Sequence, residues 1–477
     1  MIGSGVAKDL APSQRVPMQK TSWNSPLAIF FLGFLLLLFA NGCGGGGGGG
    51  GDSPPASSGD NPTSTAASTS SSTTTGTDTT TEKQFVLNRM RDWYLWYDQI
   101  PSNLDIASYS SAEAVLEATR YKTRDKWSYI ETAKAATAQL NTGEFTGIGI
   151  RTSQDASGNL WVNEVFANSP AKAAGVIRGD RIVSINGKSI AEINAAKGWD
   201  TAYGASTAGV QVDLVLARSA SSETLSLSLV KSTFIVDAVP VNRVLSQNNT
   251  FIGYLVYDSF TSASYISLVK AFNTFQAAGV SEMILDLRYN GGGLVDVAAY
   301  LASLMRNASS KDVFAKLQYN RNHSSSNYNL NYSTLTNNLN LSRVFFITSS
   351  ATCSASEMLI QGLKPYVTVV PIGATTCGKP VGMDVVTFSD KVLAAISFTI
   401  VNANGEGDYY NGLTPVCTAN DDLTHSLGDV AESSLSTALS YLANKTCPAT
   451  ATQRQIPGQI LTLWPKGSGD QGRDGLW

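Results

Sequence analysis

The stretch from Ala351 to Gly362 (ATCSASEMLIQG) places Ser354 at the start of an apolar run with helical spacing. Ser354 and Glu357 form the S-x-x-E pattern of a capping box, which by itself only begins a helix. A serine at a helix N-terminus is also well placed to act as a nucleophile, because backbone N–H groups and the positive end of the helix dipole stabilise negative charge there. The two interpretations are compatible.

A serine hydroxyl needs a base to remove its proton at neutral pH. The two histidines are not placed suggestively, since His323 lies in an Asn- and Ser-rich segment and His425 follows a cysteine by eight positions. Lys379 lies in an uncharged loop, Thr-Thr-Cys-Gly-Lys-Pro-Val-Gly. A lysine acts as a base only when neutral, which requires burial or a nearby cation to lower its pKa by about three units from near 10.4. Taken alone, Lys379 is more simply an exposed loop residue.

The segment from 236 to 447 must position these residues, and it alternates strand and helix patterns. The strand Val344–Thr348 leads through a short turn to Ser354. The segment Asn320–Asn340 is rich in Asn and Ser and is predicted to be a surface insertion. The other predicted elements are the strand Met283–Arg288, the loop Asn290–Gly293, the helix Leu294–Met305, the strand Val367–Ile372 and a closing helix Thr424–Leu442.

The segment from 141 to 235 has a strand pattern and resembles a PDZ domain. The resemblance rests on Gly147-Ile148-Gly149-Ile150, on Ser169-Pro-Ala-Lys-Ala-Ala-Gly175, and on Gly179-Asp-Arg-Ile-Val-Ser-Ile-Asn-Gly187. It implies that the backbone N–H groups of the loop Gly147, Ile148, Gly149 and Ile150 bind the C-terminal carboxylate of a peptide. The peptide would then add as a strand to the edge of the sheet.

Ser354-Ala-Ser-Glu357 resembles the S-A-S-E string of the carboxyl-terminal processing (tail-specific) proteases. The general-base lysine of that family follows in a Gly-Lys loop, and Lys379 lies 25 positions after Ser354. Asp286-Leu-Arg-Tyr-Asn-Gly-Gly-Gly293 matches the family's D-L-R-x-N-x-G-G string. The resemblance covers about residues 83 to 445 and implies a crotonase-like α/β protease core behind the PDZ domain.

The resemblance also implies a role for each matched residue. Ser354 attacks the peptide carbonyl, and Lys379 accepts and later returns its proton. The backbone N–H groups of Ala355 and Gly292 are expected to stabilise the oxyanion. Many family members carry a glutamine four residues after the lysine to orient it, but this chain has Met383 there. Either another residue orients the lysine, with Glu357 as the candidate, or activity is reduced.

The N-terminus carries an export pattern. Lys20 precedes the apolar run Pro26–Ala40, which is too short for a comfortable membrane span of about 20 residues and suits a secretory signal. Cys43 follows Ala-Asn-Gly, which resembles the lipobox of bacterial lipoproteins and implies cleavage before Cys43 and its acylation. An uncleaved anchor is the alternative. Met18 would be a more regular start for such a signal than Met1.

These patterns predict a multidomain α+β chain. A Gly/Ser/Thr-rich stretch behind the signal cannot bury enough apolar surface to fold and is predicted to be a flexible linker. Helical patterns near Val86–Tyr97 and Ser111–Tyr121 predict a helical N-terminal cap. The predicted segments are the signal at 1–43, the linker at 44–82, the cap at 83–140, the PDZ domain at 141–235, the protease core at 236–447 and a tail at 448–477.

Four cysteines remain if Cys43 is acylated: Cys353, Cys377, Cys417 and Cys447. An even number in an exported protein favours disulfides, and three pairings are possible. The pairing of Cys353 with Cys377 and of Cys417 with Cys447 is preferred. Because the chain has two histidines and no C-x-x-C pattern, no zinc site is expected.

The 34 basic and 37 acidic residues nearly cancel, so the composition does not indicate a nucleic-acid partner. The sequence predicts a lipid-anchored serine endopeptidase that faces the periplasm and needs no cofactor. Its PDZ domain would bind protein substrates by apolar C-terminal tails. The alternative is a catalytically silent PDZ-bearing scaffold or adaptor in the cell envelope. The oligomeric state is not indicated.

Overall fold

The structure is a computed structural model that describes residues 75–218 and 223–448. The predicted export signal, Cys43, most of the predicted linker and the tail after residue 448 lie outside the described residues. Within the described ranges, no helix is both long enough and apolar enough to cross a lipid bilayer.

The N-terminal segment contains helices α1 (Thr75–Trp93) and α2 (Ala112–Thr119), strand β1 (Tyr129–Thr132) and the short helix α3 (Ala133–Thr137). Residues 75–82, which the sequence analysis assigned to the linker, are therefore helical. Ser111 caps α2, since its side chain accepts from the N–H of Ala114. The predicted helical cap is also not purely helical, because β1 pairs with a strand of the C-terminal part.

The next segment forms the predicted β domain. Strands β2 (Glu144–Gly147) and β9 (Ser232–Ile235) pair with each other and bracket it. Its sheet has the order β3-β4-β5-β7-β8, with β6 also paired to β5, so β3 lies at an edge. The remaining bounds are β3 Ile150–Gln154, β4 Leu160–Val165, α4 Pro170–Ala173, β5 Asp180–Ile185, β6 Lys188–Ser189, α5 Ile190–Ala196, α6 Trp199–Tyr203, β7 Gln211–Arg218 and β8 Glu223–Val230.

The C-terminal part is built on a sheet of order β10-β11-β12-β15-β16-β19, parallel except between β10 and β11. Strands β12 and β15 are buried along nearly their whole length, as expected for parallel strands covered on both faces. The bounds are β10 Val241–Gln247, β11 Thr250–Val256, α7 Ser264–Ala277, β12 Glu282–Asp286, α8 Val295–Met305, β15 Arg343–Thr348, α9 Ala355–Leu363, β16 Thr368–Gly373, β19 Cys417–Thr418 and α10 Ser433–Asn444.

A second, antiparallel sheet packs beside the first. Its strands β13 (Val313–Tyr319), β14 (Tyr328–Asn331), β17 (Val381–Phe388) and β18 (Lys391–Val401) have the order β1-β18-β13-β14, with β17 also paired to β18. The N-terminal segment thus joins the C-terminal part through β1, which pairs with Lys391–Ala394 of β18. In this sheet β18 lies between β1 and β17, the strand that follows Lys379.

Apolar side chains cover both faces of the parallel sheet. Helices α7, α8 and α9 pack on one face, and α10 packs on the other. The C-terminal ends of β12 and β15 consequently open toward the same place, which is where the Asn290–Gly293 loop and the Ser354 turn lie.

Two sequence expectations are wrong in detail. The closing helix begins at Ser433 rather than Thr424, because Gly428 has a φ of +85° and the Glu432 side chain caps the helix by accepting from the N–H of Leu435. The segment Asn320–Asn340 is not only a surface insertion. It contributes β14, and the buried Tyr332 hydroxyl donates to the carbonyl of Gly362.

Candidate active site

Ser354 lies in a sharp turn between β15 and α9. Its φ of +55° and ψ of −115° fall outside the regions that a residue with a side chain normally adopts. Two hydroxyls fix the turn to the end of β12: Thr352 Oγ1 donates to the Leu287 carbonyl at 2.7 Å, and Ser349 Oγ donates to that of Arg288. The half-buried serine is therefore held in a strained backbone by its neighbours.

Asn290 connects this turn to the glycine loop. Its carbonyl accepts from the N–H of Cys353 at 3.1 Å and from the Ser356 hydroxyl at 3.0 Å. Its side-chain nitrogen donates to the Tyr257 carbonyl at 2.9 Å. Asn290 belongs to the D-L-R-x-N-x-G-G string, for which no role of the asparagine was predicted. The structure shows that it is fully buried and hydrogen-bonded, and its position between a strand and a glycine run was the available sequence signal.

The glycine at 292 permits close approach to Ser354. A Cβ added to Gly292 would lie 2.8 Å from the Cβ of Ser354 and 3.0 Å from the nitrogen of Ala355, and its φ is +111°. A side chain at this position would therefore fill the space in front of the serine.

The two N–H groups that are expected to stabilise the oxyanion differ in whether they already donate a hydrogen bond within the protein. The Gly292 N–H already donates to Oδ1 of Asn290 at 2.8 Å, so in this state it is not available as the sequence analysis expected. The reason is local, because an asparagine two residues earlier readily accepts from such an N–H in an Asx turn. For the Ala355 N–H, no acceptor is present among the residues that the structure describes.

Glu357 links the serine turn to the lysine loop. Its carboxylate accepts from the N–H of Ser354 at 3.1 Å and from the N–H groups of Gly378 and Lys379, each at 2.8 Å. The Thr376 hydroxyl also donates to it. Burial raises the pKa of the Glu357 carboxyl above its usual value, while these donors act in the opposite direction. The capping box thus begins α9 and also holds the loop of Lys379.

A disulfide connects the same two segments. Cys353 is bonded to Cys377 with their Cα atoms 5.2 Å apart, and the N–H of Cys377 donates to the Thr352 carbonyl at 3.0 Å. A second disulfide joins Cys417 in β19 to Cys447, beyond the end of α10. These are the preferred pairings of the sequence analysis.

The donor set at Cys353, Glu357 and Cys377 would suit a metal by spacing alone, since its ligand atoms lie within 4.8 Å of one another. The two sulfurs are bonded to each other, however, and the carboxylate already accepts from the serine and lysine loops. The chemistry of this group is therefore that of a covalent and hydrogen-bonded connection between the two loops.

Lys379 is 5% exposed, so it is not the exposed loop residue of the simpler interpretation. Its Nζ lies 5.7 Å from the centre of the Trp127 ring. Its loop is fixed by Gly378, whose φ is +83° and whose Cβ would lie 2.3 Å from the Tyr410 carbonyl oxygen. Met383 lies in β17 and packs in an apolar cluster. Glu357 contacts Lys379 through the backbone N–H of the lysine.

Neither histidine belongs to this turn. His323 Nε2 bonds to Asp92 at 2.7 Å, and its ring stacks on Trp93. His425 Nδ1 bonds to Asp422 at 2.6 Å, and that carboxylate raises the pKa of His425. The structure thus gives both histidines partners in other parts of the molecule.

The PDZ-like loop precedes the edge strand β3. Gly147 is paired in β2, and Gly149 has a φ of +85°. The carbonyls of this loop are used internally, because that of Ile148 accepts from Ala171 N–H at 2.9 Å and that of Gly149 from Phe166 N–H at 3.0 Å. Ile150 begins β3, whose edge can accept a further strand.

A network of buried charges connects the PDZ-like segment to the C-terminal part, and the sequence analysis missed it. Arg151 contacts Glu164 in its own segment and Asp258 across the junction at 2.6 Å. Arg178 likewise contacts Asp421 across the junction. Arg151 and Asp258 are 107 positions apart along the chain, and Arg178 and Asp421 are 243 positions apart. No local pattern could therefore have indicated these two pairs.

The network continues behind the glycine loop. Arg288 contacts Asp286 at 2.8 Å, Glu432 at 2.7 Å and Asp421 at 3.0 Å. Burial alone would raise the pKa of Asp421, but Arg178 and Arg288 lower it well below its usual value. The D-L-R string, quoted for its resemblance, thus supports the loop that faces Ser354.

Comparisons with known proteins agree with this architecture. The family model described as peptidase family S41 matches residues 251–415, the peptidase S41 N-terminal domain matches 81–129, and the PDZ domain matches 136–214. A crystal structure of an S41 protease from Bacteroides fragilis superposes with a TM-score of 0.61 at 26% identity, covering 76% of this chain and 97% of that one.

Curated relatives carry matching names. The chain is 26% identical over 278 residues to the carboxy-terminal processing protease CtpA of Bacillus subtilis, covering 57% of this chain and 56% of that protein. It is 26% identical over 279 residues to the chloroplastic C-terminal processing peptidase of Tetradesmus obliquus, covering 55% and 57%. The chain spans just over half the length of these relatives. The chain thus carries, in this order, matches to the S41 N-terminal domain, the PDZ domain and the domain of peptidase family S41.

Proposed function

We propose that this chain is a serine endopeptidase in which Ser354 is the nucleophile and Lys379 the general base. One observation carries the proposal: the Glu357 carboxylate binds the backbone N–H of both residues and so holds two segments 25 positions apart against each other. The strained φ of Ser354 and the space kept open by Gly292 support the same assignment. A silent scaffold would require neither feature.

The proposed reaction assigns one step to each of these residues. Ser354 Oγ attacks the scissile carbonyl carbon as its proton moves to Nζ of Lys379. The carbonyl electrons move to the oxygen, which the Ala355 N–H stabilises. Collapse breaks the C–N bond, and Lys379 returns the proton to the leaving amine. Water then attacks the acyl-enzyme with Lys379 again accepting the proton, which releases the new carboxyl end and Ser354. A second oxyanion donor from Gly292 requires its N–H to leave Asn290.

The PDZ domain would supply the substrates. The loop Gly147–Ile150 precedes an edge strand, so a protein's C-terminal tail could add to β3 with its carboxylate at the loop. The substrate class is therefore unfolded or flexible proteins with apolar C-termini. The PDZ domain contributes affinity, whereas the chemistry belongs to Ser354 and Lys379.

The location of the protein in the cell envelope is proposed from the sequence. A signal at 1–43 would export the chain, and acylation of Cys43 would anchor it so that the linker holds the folded part away from the membrane on the periplasmic side. Two disulfides are consistent with an oxidising compartment. Labelling with radioactive palmitate tests this, because Cys43→Ser should abolish the label and release the protein from the membrane fraction.

The activity is tested with the full chain purified in detergent. An unstructured protein with an apolar C-terminal tail, and the same protein ending in two aspartates, are incubated with wild type, Ser354→Ala and Lys379→Ala. We expect wild type to cleave the apolar-tailed substrate faster, and both variants to lose at least about a thousand-fold in kcat/KM. Cleavage that survives both substitutions would contradict the proposed mechanism.

A further inference from the structure

The turn that contains Arg124 and Trp127, in the N-terminal segment, makes two contacts with the surroundings of Lys379. The Trp127 ring centre lies 5.7 Å from Lys379 Nζ. The Arg124 guanidinium lies 4.4 Å above the ring of Tyr410, whose carbonyl packs against Gly378. Residues far from the peptidase domain in sequence therefore contact the proposed general base directly and, through Tyr410, the residue before it.

Trp127 is held rigidly. Asp125 Oδ1 accepts from the N–H groups of Trp127 and Ser128, both at 2.9 Å, and Asp125 Oδ2 accepts from the Tyr94 hydroxyl of the segment that follows α1 at 2.8 Å. Ser128 Oγ accepts from the N–H of Ile396 in β18 at 3.0 Å. The backbone that carries the indole is thus fixed from both the N-terminal segment and the antiparallel sheet.

The surroundings of the indole are apolar. Trp127 packs in one cluster with Val381 and Ile396, and Met383 and Tyr410 pack against it. Trp127 and Lys379 are each 5% exposed. Because an apolar wall disfavours a charged amine, a ring at this position helps to keep Lys379 in the neutral form that a base requires. The attraction of a ring face for a cation acts in the opposite direction.

We propose that Trp127 is a positioning residue of the peptidase reaction, which orients the Lys379 amine and excludes water from it, in place of the side chain that Met383 cannot supply. The inference rests on the proposed roles of Ser354 and Lys379. It also gives the S41 N-terminal domain a part in the active site, since it supplies one wall of the general-base pocket.

Other titratable groups surround the same loop. Glu357 binds the Lys379 backbone, and Tyr409 lies in the facing loop with Tyr410. Burial, with the charge of Glu357, raises the pKa of Tyr409 well above its usual value, so this phenol stays neutral at working pH. Arg124 and Asp125 lie in the Trp127 turn. Their charges remain in place when only the indole is changed, so an effect of Trp127 substitution is assigned to the ring.

The test compares the pH profiles of kcat/KM for wild type, Trp127→Leu and Trp127→Phe. In Trp127→Leu, water reaches the amine, so we expect the acidic limb of the profile to move up by about one pH unit and kcat/KM at pH 7 to fall about ten-fold. Activity should recover at higher pH. Trp127→Phe keeps an aromatic wall and should stay within about three-fold of wild type.

Trp93→Leu is the matched control. Trp93 lies in the same segment and stacks on His323 with ring centres 3.5 Å apart, so its removal disturbs the segment without opening the lysine pocket. An equal loss at all pH values in Trp127→Leu, or the same shift in Trp93→Leu, would overturn the inference.

A second measurement separates this inference from the proposed function. In the Ser354→Ala background, the rate at which acetic anhydride labels Lys379 is followed against pH by peptide mass spectrometry. We expect Trp127→Leu to move that profile upward. An unmoved labelling profile would overturn the role of Trp127 even if the wild type proves to be a protease, and an inactive wild type would refute the proposed function without affecting the labelling result.

Discussion

The serine–lysine site and the junction between the PDZ-like segment and the peptidase domain are both buried and polar, but they are built differently. At the site, one carboxylate is surrounded by backbone N–H groups and a hydroxyl, and a disulfide connects the same loops. At the junction, arginines and carboxylates contact each other across segments.

The two arrangements differ in how they respond to salt and to changes of charge. Backbone donors and a covalent bond carry no net charge, so the connection between the two loops is less sensitive to salt than a set of ion pairs is. Buried ion pairs are costly to desolvate and depend on the charge of every member. The geometry of the Ser354 and Lys379 loops therefore rests on one carboxylate and one disulfide, whereas the attachment of the PDZ-like segment depends on several charged groups at once.

The largest expected effect comes from breaking the carboxylate connection at the site. In Glu357→Gln, an amide NH₂ faces N–H groups that had an acceptor, so the serine and lysine loops shift apart. We expect kcat to fall about a hundred-fold, which is typical of a misplacement near 1 Å. Steady-state kinetics on the apolar-tailed substrate measure this.

The chain contains a matched control for that variant. Ser189 and Glu192 form a second S-x-x-E capping box at the start of α5, exposed and with no further partner segment. Glu192→Gln should lower the free energy of unfolding by less than about 1 kcal/mol and leave kcat unchanged. An equal loss of kcat in both variants would mean that capping alone explains Glu357.

The two disulfides allow a comparison at nearly equal loop length, with sequence separations of 24 and 30. Removing either pair by double substitution to serine should cost about 3 kcal/mol of stability. Only Cys353→Ser with Cys377→Ser should also lower kcat, by about ten-fold, because only this bond connects the two catalytic loops. Thermal unfolding and kinetics on both variants measure the two effects, and equal kcat values would contradict the assignment.

The junction should respond to pH through Glu164. Burial and the neighbouring Asp258 carboxylate raise the pKa of Glu164 to about 7, against the partial compensation from Arg151. A raised pKa means that the folded protein holds a proton that the unfolded chain releases above about pH 4.5, so this contribution to stability is lost as pH rises through 7.

Urea unfolding at pH 5.5 and 8 tests the sign. Wild type should lose about 1 to 2 kcal/mol more than Glu164→Gln between these values, because the amide cannot ionise beside Asp258. Kinetic constants at the site should change less than about three-fold. A variant whose loss equals that of wild type would exclude Glu164 as the titrating group.

The smallest effect is expected from Met383→Gln, which restores the residue type that many family members carry. Met383 packs against the apolar cluster that contains Trp127. If that packing already fixes Lys379, we expect kcat/KM to change less than about three-fold and stability to fall by about 1 kcal/mol, from burying an amide. A gain of ten-fold or more would mean that the lysine is poorly oriented without the glutamine.

Much of the architecture could be predicted from short-range patterns. The strand before Ser354 and the helix after the glycine loop have bounds within one residue of expectation, since periodicity and turn residues are local signals. The closing helix was placed too early, because the run from Thr424 to Glu432 has helical composition but forms charged contacts instead.

The site was predicted less completely. Ser354 and the capping box could be predicted from residue types and spacing, whereas the role of Lys379 was implied only by the family resemblance. The second role of Glu357 could not be predicted, because it depends on a loop that returns to the helix start from beyond β16. The Gly292 N–H was expected to be available and is used by Asn290, and the contact of Trp127 with Lys379 spans 252 positions, which no periodicity encodes.

The bond between Cys353 and Cys377 has a consequence for where the enzyme becomes competent. In the reducing cytosol the two thiols would remain separate. A newly made chain would then lack the disulfide, one of the two connections between the Ser354 and Lys379 loops, and would keep only the Glu357 carboxylate. If Ser354 and Lys379 act as proposed, full activity would then arise only after passage into an oxidising compartment, and the chain would stay restrained while it is still among nascent proteins.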